Sequence, residues 1–561
     1  MNIDQIAELL DVRRRGEHWL RSLGIDDLRQ GYANLQRLES AGVTRDLLAV
    51  LASQLTVQLP ALSDADMALN NLQRFVAASR NPLSTVALME RDDSVLPALL
   101  LIFSTSQHLS DLLVQDGEAF DLLRLTEGRP IGRQVLIDEV VAETNTAADE
   151  EAAMLILRRY KRREILRIAY GDIVCQQNIE TVTEQLSWLA EALCEAAIRW
   201  SRQTLEETRG QPRRRSGEPA RFVALALGKL GGTELDYSSD IELVLLCDTD
   251  GKTDGNRKIP NSDFFDRLAK KMVRLLSDTT ELGAPYRVEL RLRPNSTNGP
   301  LVMDATEALR HYDVAGRTWE RQAYVKARPL AGDIELGEWF LTELEPWIYR
   351  RYLTSADITG IKALKRRIEK QTHRQAADHR NVKTGHGGIR DIEFAIQFLQ
   401  LLNGGDMPQV RTGNTLQAIR CLEGVGCLTR QERTVLEANY EFLRHIEHRL
   451  QIMFDLQTHL LPESDAEVRR LAIRLGYDVD NALTEFQADL EKQVALNRQI
   501  LDHLLHDAFP NDHDGTPEED LVLDPEPDEL TVADCLVKYQ FRNVPEAYRN
   551  LTSLAQEKNI F

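Results

Sequence analysis

Through the first 215 residues apolar positions recur three and four apart with polar ones between them. Leu186, Leu189, Leu193, Ala197 and Trp200 follow that spacing and fall on one helical face. Ile165, Ile168 and Ala169 continue it in the preceding segment, and the pattern predicts an N-terminal helical region over 1–215. The period then changes. RFVALALG is a short apolar run ending in glycine, and IELVLLC (241–247) is a second run, so each reads as a buried strand. Between these and the next strand, SDFFDRLAKKMVRLLSD reads as an amphipathic helix with Ser262 as its N-cap. YRVELRLRP alternates strictly, with Arg287, Glu289, Arg291 and Arg293 on one face and Val288, Leu290 and Leu292 on the other, until Pro294 ends it. A small α/β domain is thus expected over 216–335. Helical spacing returns over 336–509, interrupted by the glycine-rich turn KTGHGGIRD at 383–391. The expected fold class is α+β, mostly helical, with the α/β domain set between helical ones.

Composition narrows the function classes. The chain has 561 residues, 68 Lys+Arg and 88 Asp+Glu, for a formal net charge of −20. That balance disfavours broad nucleic-acid binding, which needs a basic surface to displace counterions. The basic triplets at 13–15, 161–163 and 213–215 read as solvated faces. No apolar run approaches the ~20 residues that cross a bilayer. Cys175, Cys194, Cys247, Cys421, Cys427 and Cys535 are too few and too scattered for a disulfide framework or a zinc site. A reduced, cytoplasmic protein is expected. Residues 510–529, PNDHDGTPEEDLVLDPEPDE, hold four prolines and nine acids with no Lys or Arg, and read as an acidic linker. Residues 530–561 then read as one or two helices outside the preceding domains.

The chemistry concentrates in GKLGGTELDYSSDIE, where a strand runs into a glycine pair and then into a second strand led by Asp240 and Glu242. Residues two apart on a strand share a face, so both carboxylates leave together. Adjacent carboxylates repel unless a cation sits between them, and Mg²⁺ takes such hard oxygen ligands together with phosphates. Glu289, on the polar face of the alternating strand, is the expected third acid. Three such acids suit two metals that clamp an in-line phosphoryl displacement. Gly231 and Gly232 are expected to let the backbone approach a phosphate and offer amides to it, with Ser239 beside them. Lys229 reads either as a further phosphate contact or as solvent-facing. Arg291 and Arg293 share the acids' face and suit phosphate oxygens.

These residues also carry a resemblance. GKLGGTELDYSSDIELVLL is similar to the nucleotidyltransferase signature of the bacterial bifunctional glutamine synthetase adenylyltransferase/adenylyl-removing enzymes. The similarity continues through YRVELRLRPNSTNGPLV, GRTWERQAYVKARPLAGD, GHGGIRDIEFAIQFLQLLNGG and RHIEHRLQIMFDLQTHLLP, covering most of 150–505. It implies a DNA polymerase β-like α/β domain, Mg²⁺ as cofactor, and glutamine synthetase as protein substrate. It also implies orthophosphate and ADP, or ATP, as small substrates, and a PII-type signalling protein as a further partner. The family carries two such halves. KAR after WERQAYV, GGIRDIEF and the EHRLQ…QTHLLP block look like the N-terminal half, which removes AMP from a tyrosine by phosphorolysis. Residues 530–561 resemble the start of the other half.

Two departures stand out. Glu242 and Glu289 occupy positions where the family usually has aspartate, and His386 stands where it tends to have proline. At the same turn, Asp391 and Glu393 suit the first turn of a helix, while Lys383 or Arg390 on a phosphate is the sharper alternative. The expectation is therefore an AMP-removing enzyme. ATP-dependent adenylyl transfer and a catalytically degenerate regulatory module are its alternatives. From composition alone, limited proteolysis should cut first within 510–529, and a chain ending near 510 should keep cooperative unfolding. A truncated chain that unfolds without a sharp transition would place the boundary elsewhere.

Overall fold

The computed structural model describes residues 3–294, 299–350, 380–454, 456–508, 521, 529–541 and 543–556. The predicted linker lies outside them apart from Leu521 and Glu529. Beyond it, helices Glu529–Val537 and Val544–Gln556 share a small cluster built on Val532, Cys535 and Leu536. No described helix is long and apolar enough to cross a membrane, and the six cysteines are free.

Nine α-helices between Ile3 and Thr126 build the first core, around residues such as Leu55, Leu72, Leu99 and Phe103, and the helix Arg133–Thr144 packs into the next one. Two long helices follow, α1 (Glu150–Ile173) and α2 (Ile179–Arg209). Leu186, Leu189, Leu193, Ala197 and Trp200 are all buried along α2, as their spacing requires. Together with α3 (Asn261–Ser277), α2 covers one face of a five-stranded sheet. Its strands are β1 (Phe222–Ala226), β2 (Ile241–Cys247), β3 (Val288–Glu289), β4 (Val302–Asp304) and β5 (Arg328–Gly332). β1 lies antiparallel between β2 and β5, and β3 and β4 both pair parallel to β2 on its other edge. Val223, Leu225, Val244 and Leu246 point to the opposite face, where helices α4 (Ala305–Ala315) and α5 (Ile334–Ile348) cover them. Burial on both faces explains why β1 and β2 read as unbroken apolar runs rather than alternating ones.

Two expectations need correction. YRVELRLRP contributes only Val288 and Glu289 to the sheet. The edge of β2 is divided: β3 pairs with Ile241 and Glu242, and β4 takes over at Leu245. The chain between them must leave the ladder, and it does so in a turn closed by the Arg293 guanidinium on the Leu290 carbonyl (2.6 Å). Alternation alone cannot reveal that an edge is shared. Ser262 is not the cap of α3, because the helix already begins at Asn261 after Pro260. The Asn261 amide instead ties the carbonyls of Arg213 (2.9 Å) and Asp250 (2.7 Å).

The second helical region comprises α6 (Ile389–Asn403), α7 (Thr415–Gly424), α8 (Arg430–Phe454) and α9 (Ala482–Ala508), with the helix Asp465–Arg474 between the last two and a core of its own. What joins it to the sheet domain is charge. The Lys229 ammonium donates to Asp236 (2.5 Å) and to Glu447 on α8 (2.9 Å). Glu447 also faces Arg444 (3.3 Å) and His459 (2.9 Å). Lys326 reaches Glu234 (2.8 Å), Glu393 on α6 (3.3 Å) and the Thr415 hydroxyl (3.1 Å). Arg449 grips Asp172 of α1 through two contacts of 2.8 Å, and Tyr237 donates to the same carboxylate (3.0 Å). Burial pushes the Glu447 carboxyl upward, but Lys229, Arg444 and His459 overcome that and hold it well below the ordinary glutamate range. Burial likewise works against Asp236, yet Lys229 brings its carboxyl down to about 2. Removing one member strands its partners in a low dielectric. Glu447→Gln should therefore lower the unfolding free energy by ~3–5 kcal/mol in chemical denaturation. A loss under ~1 kcal/mol would show that this cluster does not hold the two regions together.

Candidate functional site

The acids gather at the N-terminal end of β2. Glu242 and Glu289 are register partners on the parallel strands β2 and β3, so their side chains leave the same sheet face side by side. Asp240 sits two residues upstream of Glu242, immediately before the strand. The Arg287 guanidinium lies 3.7 Å from Asp240 and 2.7 Å from Glu289, linking the two. Arg291 holds the other Glu289 oxygen at 2.8 Å. Burial raises the Asp240 carboxyl, Arg287 opposes it, and Glu289 and Asp236 add to the rise. Glu242 is raised chiefly by burial, with Lys383 and Arg291 opposing and Glu289 adding. Both acids thus hold their charge reluctantly.

Such a set has the chemistry of a divalent-cation site: hard carboxylate oxygens, crowded and half-buried, beside exposed arginines. Among the described residues no three His, Cys, Asp or Glu groups already converge as a ligand shell. Glu289 faces its two arginines, both largely exposed. An arriving cation and phosphate would exchange partners with that pair: the cation takes the carboxylate, and the arginines take phosphate oxygens. The donor set fits on those terms.

The glycine pair plays a different part from the one expected. The Gly231 amide donates to the Leu227 carbonyl (3.0 Å) and the Gly232 amide to the Gly228 carbonyl (3.1 Å), closing a four-residue helical turn. Both amides are consumed. A side chain at Gly231 would overlap the carbonyls of Lys326 and Ala226, and one at Gly232 would meet the carbonyl of Gly413. Their lack of a Cβ lets the turn seat against the strand-leading segment and the second helical region. Gly228 is the glycine that serves an acid: its φ is +56°, and a Cβ there would overlap the Glu242 carboxylate. Lys229 likewise is not a solvent-facing or phosphate-facing group, since Asp236 and Glu447 hold it inside. Ser239 is half-buried next to Asp240.

From the other side comes Lys383. It is half-buried, with no ion-pair partner within 4 Å among the described residues, and its charge acts on both Asp240 and Glu242. Burial and neighbouring Lys229 depress its ammonium. Arg390 is exposed, Asp391 caps the turn by accepting from the Gly387 amide (2.7 Å), and Glu393 is drawn into the charge cluster by Lys326 and Tyr440 (3.1 Å). The carbonyl of His386 accepts from Arg498 (2.8 Å). Sequence reasoning missed the cluster of Glu234, Lys326, Arg444 and Glu447. The signal was present in α8, where Arg444, Glu447 and Gln451 interleave with buried Leu443, Ile446 and Leu450. Polar residues that share a helix face with core residues must find partners inside.

Asp240, Glu242 and Glu289 thus stand at a sheet edge behind a glycine turn, with Arg287 and Arg291 at hand, an arrangement compatible with nucleotidyl transfer. Residues 96–343 match the family model described as glutamate-ammonia ligase adenylyltransferase, and the chain belongs to that family. Residues 362–505 match a second model, described as GlnD PII-uridylyltransferase, over the second helical region. Curated relatives named bifunctional glutamine synthetase adenylyltransferase/adenylyl-removing enzyme include one from Hahella chejuensis, 35% identical over 388 residues. That alignment covers 68% of this chain and 40% of the relative. One from Pseudomonas aeruginosa is 34% identical over 77% of this chain and 44% of its own length. One from Rhodopseudomonas palustris is 38% identical over 70% and 40%. The chain thus spans about two fifths of the length of the relatives it matches.

The corrected role of the glycine pair can be measured. Gly231→Ala should cost ~1–3 kcal/mol of stability through the forced overlap with the Lys326 carbonyl. A variant as stable as the parent but weakened for nucleotide would return Gly231 to the phosphate contacts.

Proposed function

We propose that this chain is an Mg²⁺-dependent enzyme that removes AMP from adenylylated glutamine synthetase by phosphorolysis, releasing ADP. The observation that carries the reading is the register pairing of Glu242 with Glu289, with Asp240 two residues upstream on the same side. The relatives' printed names supply the protein substrate and both directions of transfer. The removal direction is supported by the WERQAYVKAR, GGIRDIEF and EHRLQ…QTHLLP blocks, which look like the AMP-removing half of the family.

Asp240, Glu242 and Glu289 would hold Mg²⁺, which when bound neutralises phosphate charge and stabilises the leaving phenolate. Arg287 and Arg291, released from Glu289, orient the oxygens of the incoming orthophosphate and of the AMP phosphoryl group. Lys383 adds a third positive charge from the opposite wall. Orthophosphate is already a nucleophile, so the protein need not supply a general base. The residues' task is positioning and charge compensation. The match over 362–505 to a model named for PII uridylylation fits a PII-type protein as a further partner.

Asp240→Asn should cut ADP release from adenylylated glutamine synthetase, in phosphate and Mg²⁺, by at least about 100-fold, since a lost metal ligand removes several kcal/mol of charge stabilisation. Thermal stability should hold or rise, because one of three crowded carboxylates is gone. Glu242→Asp and Glu289→Asp, which restore the commoner acids, should keep activity. Near-parental phosphorolysis by Asp240→Asn would falsify the site. Robust incorporation of labelled AMP from ATP, with no phosphorolysis, would reverse the direction. Triad variants indistinguishable from the parent in Mg²⁺ binding and in both reactions would leave a regulatory module.

A further inference from the structure

Asp240 stands on a short bridge between two anchors. Downstream, the Ile241 amide donates to the Arg287 carbonyl (3.0 Å), where the ladder begins. Upstream, the Ser238 amide is shared between the Asp236 carboxylate and the Gln451 side-chain oxygen, each at 3.2 Å. Between these anchors neither Ser239 nor Asp240 donates a backbone hydrogen bond among the described residues. A cavity of about 390 Å³, lined in part by Tyr237, Ser238 and Gln451, lies beside the segment, so close packing does not hold it there. The direction in which the Asp240 carboxylate leaves the backbone therefore depends on what fixes Tyr237 and Ser238.

Three residues of α8 and one of α1 do so. Gln451 is 1% exposed; its Oε1 takes the Ser238 amide, while its Nε2, also buried, has no partner among the described residues. Methionine or leucine would fill the same space without an unmet donor. What the glutamine adds is its bond to the segment before Asp240. The Tyr237 hydroxyl donates to Asp172 (3.0 Å), and Arg449 grips both oxygens of that carboxylate at 2.8 Å. The His448 ring meets Tyr237 edge-on, with centroids 5.2 Å apart. Asp172 lies in the last turn of α1, where Leu166, Ala169 and Ile173 belong to the first helical core. That core thus bears on the site loop through a single buried carboxylate, itself set by α8.

We propose that Gln451 and the chain Arg449–Asp172–Tyr237 are positioning residues for the reaction at the acid trio, a proposal that rests on the reading of the trio as the reacting site. They hold residues 237 and 238, and through the backbone they set where the Asp240 carboxylate stands relative to Glu242 and Glu289. Their task is geometric: carboxylates that share a cation must converge before it arrives, and a bridge held at only one end does not converge them. The first helical region and α8 then contribute to the chemistry without touching substrate.

Tyr237→Phe and Gln451→Met each delete one bond and keep the volume, and both are tested in the full chain. Without metal, amide hydrogen exchange over 236–242 should rise about tenfold in each, with the rest of the chain near parental. Calorimetric titration with Mn²⁺ should show an affinity lowered by about 10- to 100-fold, the usual loss when the support of a metal-binding side chain is removed. Phosphorolysis of adenylylated glutamine synthetase should lose kcat by a similar factor, with KM for that protein little changed. Leu72→Ala, in the first core, should lower stability and leave Mn²⁺ affinity parental, which separates positioning from general loosening. If Asp240→Asn loses Mn²⁺ but both variants keep parental exchange and affinity, the proposal is overturned and the trio stands. An equal loss of affinity in Leu72→Ala overturns it too, as does loss of cooperative unfolding in both variants, which would make these residues simply part of the core. Parental Mn²⁺ binding by Asp240→Asn removes the trio as the site, and the proposal with it.

Discussion

The arrangement of the acids depends on charges buried between the sheet domain and the second helical region. Lys229, Asp236 and Glu234 sit on the segment from the glycine turn to β2, and their partners Glu447, Arg444 and Thr415 sit on the helices opposite. Lys326, at the entry to β5, bridges Glu234 and Glu393. The turn before Asp240 is thus fixed by ion pairs from the other region in addition to its own short contacts. Hydrophobic packing tolerates small shifts, whereas a buried ion pair penalises any displacement that opens it to a low dielectric. A loop tied in this way can present carboxylates in one geometry without the backing of a long strand.

That constraint matters because the sheet offers little backing at the site. β3 is two residues long, and the edge of β2 is shared with β4. A two-residue ladder holds Glu289 opposite Glu242 but does not fix the chain beyond, where Arg291 and Arg293 leave the sheet. The arrangement separates two roles. The acids and Arg287 belong to the ladder, and Arg291 belongs to the turn beyond it.

How much of this the sequence disclosed follows from the range of each interaction. β1 and β2 were legible as unbroken apolar runs, and α2 and α3 because their burial is periodic, each signal lying within one segment. The closeness of Asp240 to Glu242, two residues apart at the start of β2, was legible as well, and Glu289 read as the polar member of an alternating run. The shortness of β3 was not legible, since it depends on what β4 does a dozen residues later. Gly231 and Gly232 looked like phosphate-cradling glycines because both roles need a missing Cβ; only the carbonyls of Lys326 and Gly413 distinguish them. Lys229 looked solvent-facing because its partner Glu447 lies 218 positions away. Local spacing reports local burial, and charge pairs across domains escape it.

The two glutamates in the trio show how a substitution is absorbed. A glutamate carries its carboxylate one methylene further from the backbone than aspartate, so Glu242 needs room that an aspartate would not. The room is at Gly228, whose positive φ and missing Cβ leave the space that the Glu242 carboxylate fills. The turn before the site and the acid within it are therefore matched: a side chain at 228 would be strained by the positive φ and would push the Glu242 carboxylate aside, while a shorter acid at 242 would leave a gap above a glycine. Glu289 has no such seat and extends instead into Arg287 and Arg291. One longer acid is held by a steric fit and the other by charge. The second is the one whose partners can be exchanged, and the proposed cation and phosphate would begin there.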